Sequence, residues 1–217
     1  DSNTTADNNT AVGAASLGAN TTGAENTATG MTALAANTTG GTNTASGFRS
    51  LLTNTTGSDN SAFGSKALAS ATTNALTANT TGANNTAIGY NALDANTTGG
   101  TNTAVGHNSL GANTTAGSNT AVGGNTLSAN VTGQFNTAVG YDALLLTTSS
   151  YNTAVGIDSL RLNTSGASNT AIGRATLDAN TTASNNVAVG DSALGANTTA
   201  SDNTAVGKSS LAANTTG

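Results

Sequence analysis

The chain has 217 residues, of which 7% are charged and 3% aromatic, and it contains no Cys, Pro or Trp. A net charge of −5 with five scattered Lys and Arg residues disfavours nucleic-acid binding, which needs clustered basic side chains. No run approaches the roughly 18 apolar residues that cross a bilayer, so membrane insertion is not expected. The absence of Cys excludes a disulfide framework and a thiolate metal site.

A five-residue motif, N-T-A-V-G at 102–106, recurs along the whole chain. Successive copies begin 17 residues apart, except for one step of 25 and one of 16. This period predicts a single repeat array over 1–217, with an insertion near 69–76. The motif begins at Asn9, Asn26, Asn43, Asn60, Asn85, Asn102, Asn119, Asn136, Asn152, Asn169, Asn186 and Asn203.

Residue types keep a strict phase when positions are counted from this Asn as position 0. Ala occupies position 2, Gly position 4 and Leu position 8 in all twelve repeats, and position 3 is apolar in ten. Charged residues fall only at positions 5, 6 and 9 and just before the Asn. This segregation predicts a repeating interior and exterior. The residues expected to define it are Leu93, Leu110, Leu127, Val105, Val122, Val139, Gly89, Gly106 and Gly123.

The composition of the repeat favours strands and turns over helices. Seventeen residues are too few for a helix pair, and Thr, Asn and Gly are poor helix formers. We expect two short strands per repeat, T-A-V-G and the stretch around the Leu, joined by corners at Gly and N-T-T-G. Low hydrophobicity is also typical of disorder, but disordered tracts do not keep apolar residues in phase.

Stacking of such repeats buries the Leu side chain, which a single repeat is too short to bury alone. Coils about 4.8 Å apart would pair each strand with its copies above and below and bury columns of Leu and Ala. The sequence therefore predicts an all-β parallel β-solenoid of twelve coils, with corner Asn side chains forming an amide ladder. We read 69–76 as a bulge that leaves the later coils in phase.

Strand alternation places the residues at positions 2 and 3 on opposite faces. If Ala lines the interior, the Val residues form an outward apolar column, which on a protein surface is typical of an interface. This favours a homotrimer around that column. In the alternative, Val and Leu share one interior in a monomer.

The motif resembles repeats of two fibrous families. N-T-A-V-G, N-T-A-I-G at Asn85 and N-V-A-V-G at Asn186 are similar to the head repeats of trimeric autotransporter adhesins. This resemblance implies a left-handed β-roll of three chains. The longer pattern at 85–99 looks like repeats of phage tail-fibre and virion structural proteins, which often precede a self-cleaving chaperone domain. The chain is thus expected to be a segment of a longer fibre.

Catalytic and metal-binding constellations are not evident in the sequence. His107 stands alone at a variable position, whereas metal sites need several converging ligands. Asp residues occur singly rather than at the spacing of calcium loops. No His and Asp pair is placed to activate a Ser or Thr. We therefore expect no enzyme activity, no metal and no cofactor.

The N-T-T corner also reads as an N-glycosylation sequon. A glycan on each coil of an exported fibre is one interpretation, and turn chemistry alone is the other. The candidate acceptors are Asn20, Asn37, Asn54, Asn79, Asn96, Asn113, Asn130, Asn163, Asn180, Asn197 and Asn214.

These observations favour a structural role. The expected function is the shaft or head segment of an extracellular, cell-surface or virion fibre, acting as a spacer or adhesive filament. The expected partners are other copies of the chain, as a homotrimer or an end-to-end filament, together with cell-surface glycans or receptors. Alternatives are a glycan-coated fibril of single chains and a carbohydrate- or receptor-binding module, with Tyr90 and Tyr141 as its aromatic candidates.

Overall fold

A computed structural model describes residues 6–68 and 80–215. Each repeat contributes one strand of three residues, at positions 1 to 3. The strands are β1 (Thr10–Val12), β2 (Thr27–Thr29), β3 (Thr44–Ser46), β4 (Ser61–Phe63), β5 (Thr86–Ile88), β6 (Thr103–Val105), β7 (Thr120–Val122), β8 (Thr137–Val139), β9 (Thr153–Val155), β10 (Thr170–Ile172), β11 (Val187–Val189) and β12 (Thr204–Val206).

The twelve strands form one parallel sheet in sequence order. Each strand pairs in register with its copies in the adjacent coils, so that Ala104 lies opposite Ala121. The fold is therefore a parallel β-solenoid built from tandem repeats, as the period predicts. Most backbone hydrogen bonds outside the strands also join neighbouring coils.

The two irregular steps leave the register unchanged. Ser61 pairs with Thr86 across the step of 25 residues, and Thr137 pairs with Thr153 across the step of 16. The expectation that the insertion leaves the later coils in phase is thus confirmed, and the shortened step behaves in the same way. The bulge expected at 69–76 lies outside the described residues.

The expected second strand around the Leu is wrong. Positions 6 and 8 have left-handed backbone, with φ of 54° at Asn108 and 51° at Leu110. Asn108 donates its N–H to Tyr90 O in the preceding coil at 3.0 Å, and Leu110 donates to Thr126 O in the following coil at 2.9 Å. The backbone therefore turns in steps and bonds alternately to both neighbours, instead of running as a strand. Left-handed backbone costs about 1–2 kcal/mol per non-Gly residue, which these bonds and the burial of Leu offset.

The core is a narrow stack of Ala and Leu. The Ala side chains at position 2 and the Leu side chains at position 8 are buried through the middle of the array, as predicted for Leu93, Leu110 and Leu127. Because Ala is small, the strand lies close to the Leu column, and the coil needs few large side chains to fill its interior.

Gly at position 4 allows the coils to approach closely. Gly106 has φ of 137°, and Gly89 and Gly123 have φ of 130° and 134°. A Cβ atom on Gly106 would collide with the carbonyl of Gly123 in the next coil. Only Gly meets both the backbone and the space requirement here.

Candidate interaction surfaces

The Asn at position 0 forms a buried ladder inside the coil. Asn102 Nδ2 donates to Asn85 Oδ1 at 3.2 Å and to Ala116 O at 2.9 Å. Its Oδ1 accepts the N–H of Asn119 at 3.1 Å. This confirms the predicted amide ladder and anchors the start of each strand to the N-T-T corner of the same coil.

The Asn of N-T-T forms a second buried column. Asn113 Nδ2 donates to Asn96 Oδ1 at 2.8 Å and to Ala116 O at 3.1 Å. Nine candidate glycan acceptors are buried in this way: Asn20, Asn37, Asn54, Asn96, Asn113, Asn130, Asn163, Asn180 and Asn197. Asn214, at the end of the array, is half-buried and donates to Asn197 Oδ1, and Asn79 lies outside the described residues.

This burial argues against the glycan interpretation for those nine residues. A glycan would be attached to Nδ2, the atom that points inward and donates to neighbouring coils. The folded coil leaves no room for a sugar at such an atom. The turn interpretation of N-T-T therefore fits the fold.

The outward side of the sheet, formed by positions 1 and 3, is here called the T-A-V face. Its apolar column is exposed at Val139 (36%), Ile172 (40%) and Val206 (69%), while Val105 and Val122 are half-buried. The interior Ala and outward Val follow the predicted alternation, which rules out a common interior for Val and Leu. From β5 to β12 the T-A-V face is thus a continuous strip of β-branched side chains, whereas Ser46, Ser61 and Phe63 interrupt it in β3 and β4.

The two Thr columns of the corner, positions 12 and 13, are here called the N-T-T face. At position 12 the hydroxyl donates to the main chain of the next coil, as from Thr97 Oγ1 to Thr114 O at 2.8 Å. At position 13 the side chain is exposed in the described coils, as at Thr98 and Thr115, except at Ser149, which is half-buried in the shortened coil. This face therefore repeats one hydroxyl and methyl pattern along the solenoid axis.

Aromatic side chains form two stacked pairs. Tyr90 and His107, both at position 5, have ring centroids 5.7 Å apart and an interplanar angle of 14°. Phe135 and Tyr151 have centroids 5.2 Å apart and an angle of 12°. Sequence reasoning missed the second pair, although both residues directly precede a repeat Asn in adjacent coils. Tyr141 lies away from Tyr90, beside Gly124.

Charged residues pair along the axis because equivalent positions stack. Arg161 Nε lies 2.9 Å from Asp178 Oδ1, and the hydrogen bond to this carboxylate, with its charge, raises the pKa of the guanidinium. Arg174 donates to both oxygens of Asp191 at 2.9 and 3.0 Å. The Ser192 hydroxyl, followed by Arg174, lowers the pKa of Asp191 below its ordinary value.

A metal-binding cluster is not found among residues 6–68 and 80–215, where no three His, Cys, Asp or Glu side chains converge. In the same part of the chain, no helix is long and apolar enough to cross a membrane. Comparison of the chain with family models, curated sequences and solved structures gave no match.

Proposed function

We propose that the chain is a structural segment, shaft or head, of an extracellular or virion-surface fibre and acts as a spacer. The observation that carries this proposal is the unbroken stacking from β1 to β12, with each strand bonded in register to its neighbours. Repeats that contact only their neighbours extend in one direction and keep a fixed rise per coil. Such a structure sets a distance between the parts attached to its ends.

The test of this role is localisation on intact particles or cells. An antibody against the coil at 102–118 is expected to label the length of surface filaments or virion fibres in electron micrographs. The control is the same antibody after absorption with the purified chain. Label confined to the cell interior would contradict the proposal.

The same proposal includes a homotrimer formed through the T-A-V face. The exposed Val and Ile column supports it, because a long apolar strip is usually covered by a partner and identical chains close most simply around a rotation axis. Three chains would bury this strip against one another and leave the N-T-T face outward.

Native mass spectrometry tests the homotrimer. The expected species has three times the chain mass of 20.7 kDa. Lys at Val105, Val122 and Val139 should dissociate it, whereas Lys at the exposed Thr98, Thr115 and Thr132 should not. A wild-type species of one chain mass would refute the trimer and leave the single-chain fibril. Denaturing mass spectrometry of the native material would detect any glycan as added hexose-sized increments.

A receptor-binding module is the second candidate, favoured by the Phe135 and Tyr151 stack. These rings are 49% and 60% exposed, although aromatic residues are otherwise scarce in the chain. Exposed aromatic rings bind sugars and protein partners. Binding to a glycan array that Tyr151→Ala abolishes would establish this function, and an array without signal would exclude a sugar ligand of the types displayed.

A further inference from the structure

The N-T-T face holds its inner Thr column in one side-chain conformation. Thr97 Oγ1 donates to Thr114 O at 2.8 Å, and Thr164 Oγ1 donates to Thr181 O at 2.9 Å. The same bond to the next coil recurs at Thr21, Thr38, Thr55, Thr114, Thr148, Thr181 and Thr198. Because the hydroxyl points along the axis each time, the methyl groups repeat with one orientation.

The outer Thr column adds exposed hydroxyl and methyl groups to this row. Position 13 is exposed at Thr22, Thr39, Thr56, Thr81, Thr98, Thr115, Thr132, Ser165, Thr182 and Thr199. The repeat distance along the column is the strand spacing, about 4.8 Å. A row with this period would order the water that hydrogen-bonds to it with the same period.

The N-T-T face also lacks charge. Positions 10 to 14 contain no Asp, Glu, Lys or Arg in any repeat of the sequence. Charged groups hold water in shells directed at the ion, whereas hydroxyl and methyl groups are compatible with a tetrahedral water network. An uncharged, rigid and periodic surface is suited to binding an ordered lattice of water molecules.

We propose that the N-T-T face binds ice. The row spacing of about 4.8 Å lies close to the spacing of water rows in the ice lattice, so successive coils would meet successive rows. This activity goes beyond a spacer role and is compatible with it, because the N-T-T and T-A-V faces use different columns. A trimer would present three such faces outward.

Other ligands fit this surface less well. Sugar and protein sites depend on aromatic or large apolar anchors, and the two Thr columns contain only Val131 as a larger apolar residue. A crystalline polysaccharide is also periodic but requires stacking surfaces that Thr does not provide. Ice therefore matches the chemistry of the face as well as its period.

The test measures ice binding by the full chain. The purified protein is expected to enter a slowly growing ice hemisphere, to inhibit ice recrystallisation and to shape ice crystals. The disrupting variant combines Thr98→Lys, Thr115→Lys and Thr132→Lys, three exposed sites in adjacent coils, and should lose all three activities. Circular dichroism verifies that it remains folded.

The matched control places the same three charges on position 6 of the same coils. It combines Asn91→Lys, Asn108→Lys and Asn125→Lys, and Lys66 already occupies the equivalent position in another coil. This variant should keep wild-type ice binding. Thr→Ser variants at 98, 115 and 132 should weaken binding, because they keep the hydroxyl groups but remove the methyl groups.

Several outcomes would overturn the proposal. Exclusion of the folded wild-type chain from ice would show that it has no ice-binding face. An equal loss of ice binding in the Lys variants at positions 13 and 6 would show that the N-T-T face is not the binding site. Loss only on Lys substitution at Val105, Val122 and Val139 would assign ice to the T-A-V face. If the protein bound crystalline chitin or cellulose but did not enter ice, the ligand of the face would be a polysaccharide and not ice. A chain that fails to bind ice but forms a trimer would leave the fibre proposal intact.

Discussion

Asn102 and Asn113 donate to the same carbonyl, Ala116 O, at 2.9 and 3.1 Å. One Asn begins the coil and the other belongs to its N-T-T corner, so this carbonyl ties the two ends of the coil together. Their remaining bonds differ. Asn102 Oδ1 accepts from Asn119 N and Nδ2, whereas Asn113 Oδ1 is buried without a hydrogen-bond partner.

Asn102→Ala is therefore expected to destabilise the fold more than Asn113→Ala. Leaving a buried polar group without its partner costs about 1–3 kcal/mol, so we expect about 2–4 kcal/mol for Asn102→Ala and about 1–2 kcal/mol for Asn113→Ala. The first change leaves the buried N–H of Asn119 without its acceptor. Urea unfolding monitored by circular dichroism measures both, and equal losses would show that the Oδ1 bonds contribute nothing.

Gly106→Ala should be among the most damaging small substitutions in the chain. Its φ of 137° is unfavourable for a side chain, and its Cβ would meet the backbone of the next coil. Backbone strain alone costs about 1–3 kcal/mol, and the collision adds to it. The control is Gly18→Ala, where the nearest atom to a Cβ is Ala15 O at 3.5 Å.

Thermal unfolding distinguishes these two Gly variants. Gly18→Ala should change the free energy of unfolding by about 1 kcal/mol or less, in either direction. A Gly106→Ala protein with the wild-type melting temperature would contradict the close approach of the coils.

Leu110 is expected to tolerate Gly as well as or better than Ala. Leu110→Ala removes a buried side chain at a cost of about 2–5 kcal/mol. Leu110→Gly loses the same contacts but relieves left-handed strain of about 1–2 kcal/mol, which offsets the entropy that Gly adds to the unfolded chain. At Leu162, where φ is negative, Gly should be worse than Ala. Urea denaturation of the Ala and Gly variants at Leu110 and Leu162 tests this prediction. It would be refuted if Ala were more stable than Gly at both sites.

The pKa of the Asp191 carboxyl should lie below its ordinary value and should respond more to Ser192 than to Arg174. The Ser192 hydroxyl is 2.8 Å from Oδ1. Carbon-detected NMR titration should show a larger upward shift in Ser192→Ala than in Arg174→Gln. Because folding lowers this pKa, the stabilising contribution of the carboxylate is complete above its unfolded value and is lost as the pH falls through the folded one. A larger shift in Arg174→Gln would reverse the assignment of cause.

The period made much of the fold predictable from the sequence. The invariant Leu and Ala columns indicated the interior, and alternation across T-A-V correctly assigned Ala inward and Val outward. The amide ladder also followed from the invariant Asn, because identical residues must stack when coils repeat. These inferences depend on symmetry between repeats more than on the conformation within one.

The conformation within one repeat was harder to infer. Leu110 and Asn108 have left-handed backbone conformations. Leu rarely adopts this conformation, so the presence of Leu at position 8 did not indicate it. The inward orientation of Asn113 was missed because the same N-T-T letters describe an exposed sequon and a buried corner amide. The Phe135 and Tyr151 pair required a comparison of adjacent coils across the shortened step, where the spacing is 16 residues.

Thr137 pairs with Thr153 although their coil is one residue shorter than its neighbours. The strands and buried ladders therefore fix the register, and the corner adjusts to whatever length connects them. Recombination between homologous repeats in the gene would add or remove whole coils without creating a mismatched junction. The length of this protein is thus a trait that mutation can change in uniform increments of one coil, while every junction remains a contact between two coils of the same pattern.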